Sequence, residues 1–104
     1  MPERDVAVVL ADAAASDIQS IYRHVAETGS VAVADGVYAR LFEAIARLGE
    51  HPESGAPRDH VRAGYRIVLM SSWVIWYRYQ PSERRVVVMR VLHGHMDAVR
   101  HLPG

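Results

Sequence analysis

The chain reads as an α+β fold of order β-α-α-β-β-β, a two-helix hairpin packed on one face of an antiparallel sheet, and three observations support this. Between Asp12 and Gly49 apolar residues recur every three or four positions, the period of an amphipathic helix. From Gly64 onward the pattern becomes dense in Val, Ile, Tyr and Trp, which suits a pleated surface. Between the two lies an irregular stretch with Pro52, Gly55 and Pro57 and no apolar period.

In chain order, Val6, Val8 and Leu10 alternate with smaller residues, so residues 4–10 are expected to form a first strand. Asp12 offers a helix cap, and Ala15, Ile18, Ile21, Tyr22 and Val25 place one apolar stripe on a helix that Thr28-Gly29 stops. Ser30 caps a second helix with the stripe Ala34, Val37, Tyr38, Leu41, Ile45 and Leu48, ending at Gly49. The short connection at Gly29 makes the helices antiparallel. Residues 50–63 read as a surface loop. Strands are expected over 64–71, 73–79 and 85–93, with Ser71-Ser72 and Gln80-Pro81-Ser82-Glu83 as turns of a meander. With 104 residues, half of them apolar, the chain supplies one core, so residues 1–104 are expected to form a single domain.

The chain has no cysteine, which excludes disulfides, thiolate metal sites and a cysteine nucleophile, and fits a reducing cytoplasm. The charged start Met1-Pro2-Glu3-Arg4-Asp5 precedes only a short apolar run, so neither a signal peptide nor a membrane span is expected. The formal net charge of zero hides a division. Through Pro57 four arginines face nine acids, a net charge of −5, whereas from Arg58 eight arginines face three acids, a net charge of +5. A basic half of this kind suits a polyanion or an acidic partner segment; the alternative is that the halves pair with each other across the fold. Every lysine-or-arginine position is arginine, which fits either planar bidentate contacts at an interface or, with fewer demands, a base composition that also enriches Ala and Val.

Three arginines sit in consecutive strands. Period-two alternation places Arg66 with Val68 and Met70, Arg78 with Val74 and Trp76, and Arg90 with Val86 and Val88. If register aligns those sides, they form an arginine-bearing face; otherwise one or two lie on solvent edges or pair with carboxylates. Trp73 and Trp76 are an odd number of residues apart, so one of them faces the helices. With Tyr77 and Tyr79 they are either stacking platforms for bases or, more often for such residues, core and interface. His93-Gly94-His95, with Asp97 and His101 nearby, has the residue types of a metal site, but an imidazole bonding its own turn explains it with fewer demands, and no metal or other cofactor is expected. Ser71-Ser72 lacks the strand-turn-helix glycines of a nucleophile elbow, and no phosphate-binding glycine loop is present.

Leu48-Gly49 leading to Pro52-Glu53-Ser54-Gly55, then Gly64-Tyr65-Arg66, Val74-Ile75-Trp76-Tyr77-Arg78, and Val88-Met89-Arg90-Val91-Leu92-His93-Gly94 with Asp97 follow one another in an order and spacing that resemble the ParE/RelE superfamily of type II toxins. The resemblance extends from the first strand through Ala15-Ser16-Asp17-Ile18 to the last, and the fold read from periodicity is that superfamily's fold. It implies a cytoplasmic toxin held inactive in a hetero-oligomer by a cognate antitoxin, whose extended segment wraps around it. ParE-like members typically poison DNA gyrase; RelE-like members cut messenger RNA on the ribosome. For the ParE-like activity the resemblance implies no catalytic residue, and the expected antitoxin or target contacts are Arg58, Arg66, Trp76, Arg78, Arg90, His93 and His95. For nuclease activity, Arg66, Arg90 and His93 would supply charge and proton transfer, although the chain has no lysine and no tyrosine after the last strand. An inactive relic that only binds an antitoxin is a third reading. Val91-Leu92-His93-Gly94 looks more like ParE than RelE, with His95-Met96 where many ParE-like chains carry basic residues.

Overall fold

A computed structural model describes residues 6–94 and 96–103. Strand β1 (Ala7–Leu10) leads into helices α1 (Asp12–Thr28) and α2 (Val31–Glu50). A two-residue strand β2 (Ala56–Pro57) follows, then β3 (Tyr65–Met70), β4 (Trp73–Gln80), β5 (Arg85–His93) and a short helix α3 (Ala98–His101). The sheet order is β1-β5-β4-β3-β2. The meander β3-β4-β5 is antiparallel as read from the sequence, and β1 joins it parallel to β5, so the whole sheet is mixed. Residues 4 and 5 of the expected first strand lie outside the described residues.

The helical hairpin covers one sheet face, where Ile18, Ile21, Leu41, Ile45 and Leu48 pack against Ile75, Tyr77, Val86, Val88 and Val91. Each such side chain contributes roughly 1.5–3 kcal/mol on leaving water, so this layer is the main source of stability. Ser30 caps α2 as expected, accepting from Val33 N at 3.1 Å. Asp12 is not a cap: it is the first helical residue, and Ala11 occupies the cap position without a side-chain bond. α2 runs one residue past Gly49, because that glycine is a packing residue. A Cβ there would meet Val8 Cγ2 at 3.0 Å and Val6 O at 3.3 Å, where α2 crosses β1.

Three local features escaped the sequence pattern. Ala56 and Pro57 pair with Ile67 and Arg66, so the expected loop 50–63 contributes an edge strand, the one kind of strand that tolerates proline. The register between β4 and β5 shifts between Trp76 and Tyr77, with Trp76 opposite Arg90 and Tyr77 opposite Val88. This bulge gives β5 one extra residue and reverses its alternation. The third is α3 with the residues that follow it, which lie on the sheet face opposite the helices, where Leu102 and Ala98 pack with Tyr65, Trp76 and Leu92. As expected, the two tryptophans point to opposite sides: Trp73 packs against the helix-side core and Trp76 belongs to the second face.

The turn 52–55 is pinned from behind by the sheet. Tyr77 Oη accepts from Gly55 N and donates to Pro52 O, both at 2.9 Å, while Arg66 Nη1 donates to Gly55 O at 2.8 Å and Glu53 O at 3.1 Å. A Cβ on Gly55 would lie 2.5 Å from Tyr77 Oη and 2.7 Å from Ile67 O, so only glycine fits. Gly55→Ala is therefore expected to cost about 3 kcal/mol by overpacking. Tyr77→Phe should cost about 2 kcal/mol by leaving the Gly55 amide without its acceptor. Burial also raises the Tyr77 hydroxyl above its ordinary 10.0. Its contribution to stability is complete below about pH 10 and is lost as the pH climbs toward the folded-state value. Urea midpoints of wild type and Tyr77→Phe between pH 7 and pH 11 check both points, and the variant should show the smaller alkaline loss.

Candidate partner-binding site

The second sheet face and the outer edge of β5 hold most of the polar chemistry. β1 pairs with β5 only as far as Val88, and Ala11 N closes that pairing on Val88 O at 2.9 Å. Beyond this point α1 supplies a carboxylate in place of a strand. Asp17 Oδ2 accepts from Val91 N at 2.9 Å and from Arg90 Nε at 2.7 Å, and its Oδ1 accepts from Arg90 Nη2 at 2.8 Å. The third arm of the same guanidinium, Nη1, donates to His101 O at 3.0 Å. The Asp17 hydrogen bonds hold Arg90 above its usual pKa against an opposing desolvation, so it carries its charge at every working pH.

The bulge decides which arginines share a face. Arg90 stands opposite Trp76 and away from Val86 and Val88, which pack on the helix side, so the expected grouping of Arg90 with those valines is overturned. Arg78 is on the same side as Trp76, with its guanidinium carbon 5.3 Å from the centre of the Tyr65 ring. Arg66 is opposite Tyr77 and points to the helix side with Val68 and Met70, as the alternation predicts. The arginine face thus comprises Arg78 and Arg90 with Trp76, and Arg66 is not part of it.

His93 pairs with Trp73 at the far end of β5, their rings edge to face at 5.2 Å. Both border a groove of about 240 Å³ between α1 and β5, with Asp17, Ile21, His24 and Met96 among its walls. Arg58 is partly buried and donates to Pro57 O at 2.8 Å. His95 lies outside the described residues. Among the described residues no group of three or more His, Asp or Glu side chains is arranged to hold a metal ion, and no helix is long and apolar enough to cross a membrane.

Sequence reasoning missed Asp17, Arg62, Tyr65 and Leu102 as members of this region. Asp17 flanks the buried stripe Ala14, Ile18 and Ile21, and a carboxylate in that position is a usable signal for a buried partner. Arg62 comes from the irregular loop and gave none. The charge asymmetry is resolved in part: Arg90–Asp17 joins the two halves, whereas Arg85–Glu83 and Arg100–Asp97 stay inside the basic half.

A mixed sheet backed by one helical hairpin, with an arginine-bearing outer face and a tightly pinned Pro-x-x-Gly turn, defines the class of small toxin-like domains that the motifs suggested. The profile of the family described as "ParE toxin of type II toxin-antitoxin system, parDE" matches residues 8–98, and the chain belongs to that family. It is 32% identical to toxin ParE1 of Mycobacterium tuberculosis over 90% of this chain and 95% of that protein. It is 44% identical to toxin ParE1 of Caulobacter vibrioides over a shorter stretch, 62% of this chain and 66% of that protein. Among solved structures, the chromosomal ParDE TA system from P. aeruginosa shares the fold with a TM-score of 0.75 at 17% identity, covering 86% of this chain and 97% of that one. The toxin-antitoxin complex RelBE2 from Mycobacterium tuberculosis does so with a TM-score of 0.63 at 20% identity, covering 85% and 90%.

The geometry makes Asp17–Arg90 a stability element first. The two side chains are 15% and 21% exposed, so removing either strands a poorly solvated charge. Asp17→Ala and Arg90→Ala are each expected to cost about 3 kcal/mol, and the double variant clearly less than their sum. Chemical denaturation of the four proteins of this cycle measures the coupling, and additive losses would show that the pair carries no interaction energy.

Proposed function

We propose that this chain is the toxin of a two-protein system in the cytoplasm, neutralised by a cognate antitoxin bound to it as a hetero-oligomer, and that when released it inhibits DNA gyrase by binding alone. Family membership and the ParDE and RelBE systems that share the fold support the antitoxin partner. Residues 1–104 act as a single unit in this reading.

The observation that carries the choice of gyrase over messenger RNA is the dispersal of the nuclease candidates. In-line cleavage of RNA needs cations on the scissile phosphate and a titratable group within hydrogen-bond reach of the reacting oxygens. Arg66 is opposite Tyr77, whereas His93 pairs with Trp73, which in turn pairs with Met70. Those positions are four residues apart along the strands and two strands apart across them, roughly 13 Å by 10 Å. Arg90, the remaining cation, is neutralised by Asp17. Arg66 and His93 therefore do not converge on one phosphate, and a binding poison asks no proton transfer of His93.

The test pairs gyrase supercoiling and DNA-cleavage assays with single-turnover cleavage of messenger RNA on ribosomes, for wild type and His93→Ala. Gyrase inhibition is expected, with His93→Ala within about threefold of wild type. A general acid would lose roughly a hundredfold or more. Ribosome-dependent RNA cleavage abolished by His93→Ala, with gyrase unaffected, would replace this reading by the endoribonuclease one. Binding to the antitoxin with neither activity would leave an antitoxin-binding relic.

A further inference from the structure

The outer surface of the helical hairpin, far from the second sheet face, carries a hollow that no core contact explains. Tyr22 and Tyr38 belong to the apolar stripes of α1 and α2 in sequence, yet neither ring joins the packed layers, and Tyr38 is 47% exposed. The two rings instead meet edge to face, 5.9 Å apart at 89°, and Phe42 extends the row 4.7 Å from Tyr38. They form one corner of a groove of about 460 Å³, a volume in the range of small-molecule sites. Gln19, Arg23, Ala26 and Glu27 complete its wall, spaced along one side of α1 at intervals of three and four. Tyr22 Oη donates to Asp35 Oδ1 at 2.7 Å across the two helices. A phenol that donates to a carboxylate is polarised toward the phenolate, so its ring becomes a better face for a cation. Among the described residues neither Asp35 nor Glu27 has a cationic partner: the ion pairs are Arg85–Glu83, Arg90–Asp17 and Arg100–Asp97. The hairpin as a whole is acidic, with six carboxylates against three arginines between Asp12 and Glu50.

Aromatic rings at a right angle, an apolar floor and two carboxylates without cationic partners are the features that recognise an alkylammonium group. We infer that this groove is a binding site for a linear aliphatic polyamine. Its methylene chain lies along Ala26 and the tyrosine rings, one ammonium is held between Glu27 and the Gln19 side-chain oxygen, and another is drawn toward Asp35. Two separated carboxylates suit two separated charges, which a single metal cation does not supply. Arg23 is the one opposing charge on the wall, and its removal strengthens the site. An occupant that touches both helices also clamps α1 to α2, so it stabilises the hairpin by mass action. The site rests on neither the antitoxin nor the gyrase reading.

The experiment titrates spermidine into the full-length, isotopically labelled protein at neutral pH and about 0.15 M salt, where diffuse charge effects are screened. Backbone amide shifts are followed by NMR. Saturable shifts centred on Ala26 and Tyr38 are expected. Tyr38→Leu, which keeps apolar contact and removes the ring face, should weaken binding about fivefold or more. Glu27→Gln should weaken it about threefold, and Arg23→Gln should tighten it by a similar factor. Glu27 and Arg23 are both exposed, so these two variants decide the matter if Tyr38→Leu proves poorly folded by circular dichroism. Three controls separate the chemistry: magnesium at equal ionic strength carries charge alone, 1,8-octanediol carries the apolar chain alone, and a lysine-rich peptide carries ammonium groups on a protein. Shifts that do not saturate, or that either of the first two controls reproduces, would overturn the proposal. So would binding indifferent to Glu27→Gln and Arg23→Gln. Tighter binding of the peptide than of spermidine would also overturn it, by giving the groove to a protein partner.

Discussion

The contact on which the rest of the structure depends is the carboxylate of Asp17 placed beside an unfinished strand edge. β1 covers only the first half of β5, and a bare edge in the second half would leave backbone groups unsatisfied next to the core. A single side chain from α1 meets the Val91 amide and fixes Arg90 at two points. This ties the helical hairpin to the sheet in one register, since a rotation of α1 by one residue would remove all three bonds. It also orients the guanidinium so that its remaining arm reaches the C-terminal segment, and one ion pair thereby connects the hairpin, the sheet and the second face.

The bulge between β4 and β5 is the companion constraint. Without it, Arg90 would follow Val86 and Val88 into the helix-side core, where a charge could not be accommodated. One extra residue in β5 turns it outward beside Trp76 and keeps Val91 turned inward. The result is a sheet with two working faces: an apolar one consumed by the hairpin, and an arginine and aromatic one that the hairpin reaches through Asp17.

The broad architecture was legible because its signals are periodic. The stripes of α1 and α2 and the Val, Ile and aromatic runs of β3, β4 and β5 each repeat often enough to specify an element, and β5 matches its expected span to the residue. Single events were not legible. Gly49 looks like a helix terminator in sequence and serves as a contact surface for β1, since nothing local distinguishes the two uses. Pairing of Ala56-Pro57 depends on an edge beyond the following loop, at Arg66 and Ile67. The arginine face was half readable: alternation places Arg78 beside Trp76, and no pattern within one strand reveals a bulge that exists only between two. Asp17, the neighbouring Arg62 and Tyr65, and Leu102 converge from three separate parts of the chain, and such convergence has no sequence signature.

The parallel pairing of β1 with β5 has a consequence for the order of events at synthesis. Ala7 is opposite Arg85, so the first strand to leave the ribosome waits for the last one. Pairings this distant in sequence form late, because the loop between them must be closed before any contact rewards it. The hairpin can assemble during translation, but the sheet edge beside Asp17 and the face carrying Trp76 and Arg90 do not exist until β5 has emerged. A cell making this protein therefore meets this surface only once β5 has been synthesised, which gives a partner already present time to be at hand when that surface first appears.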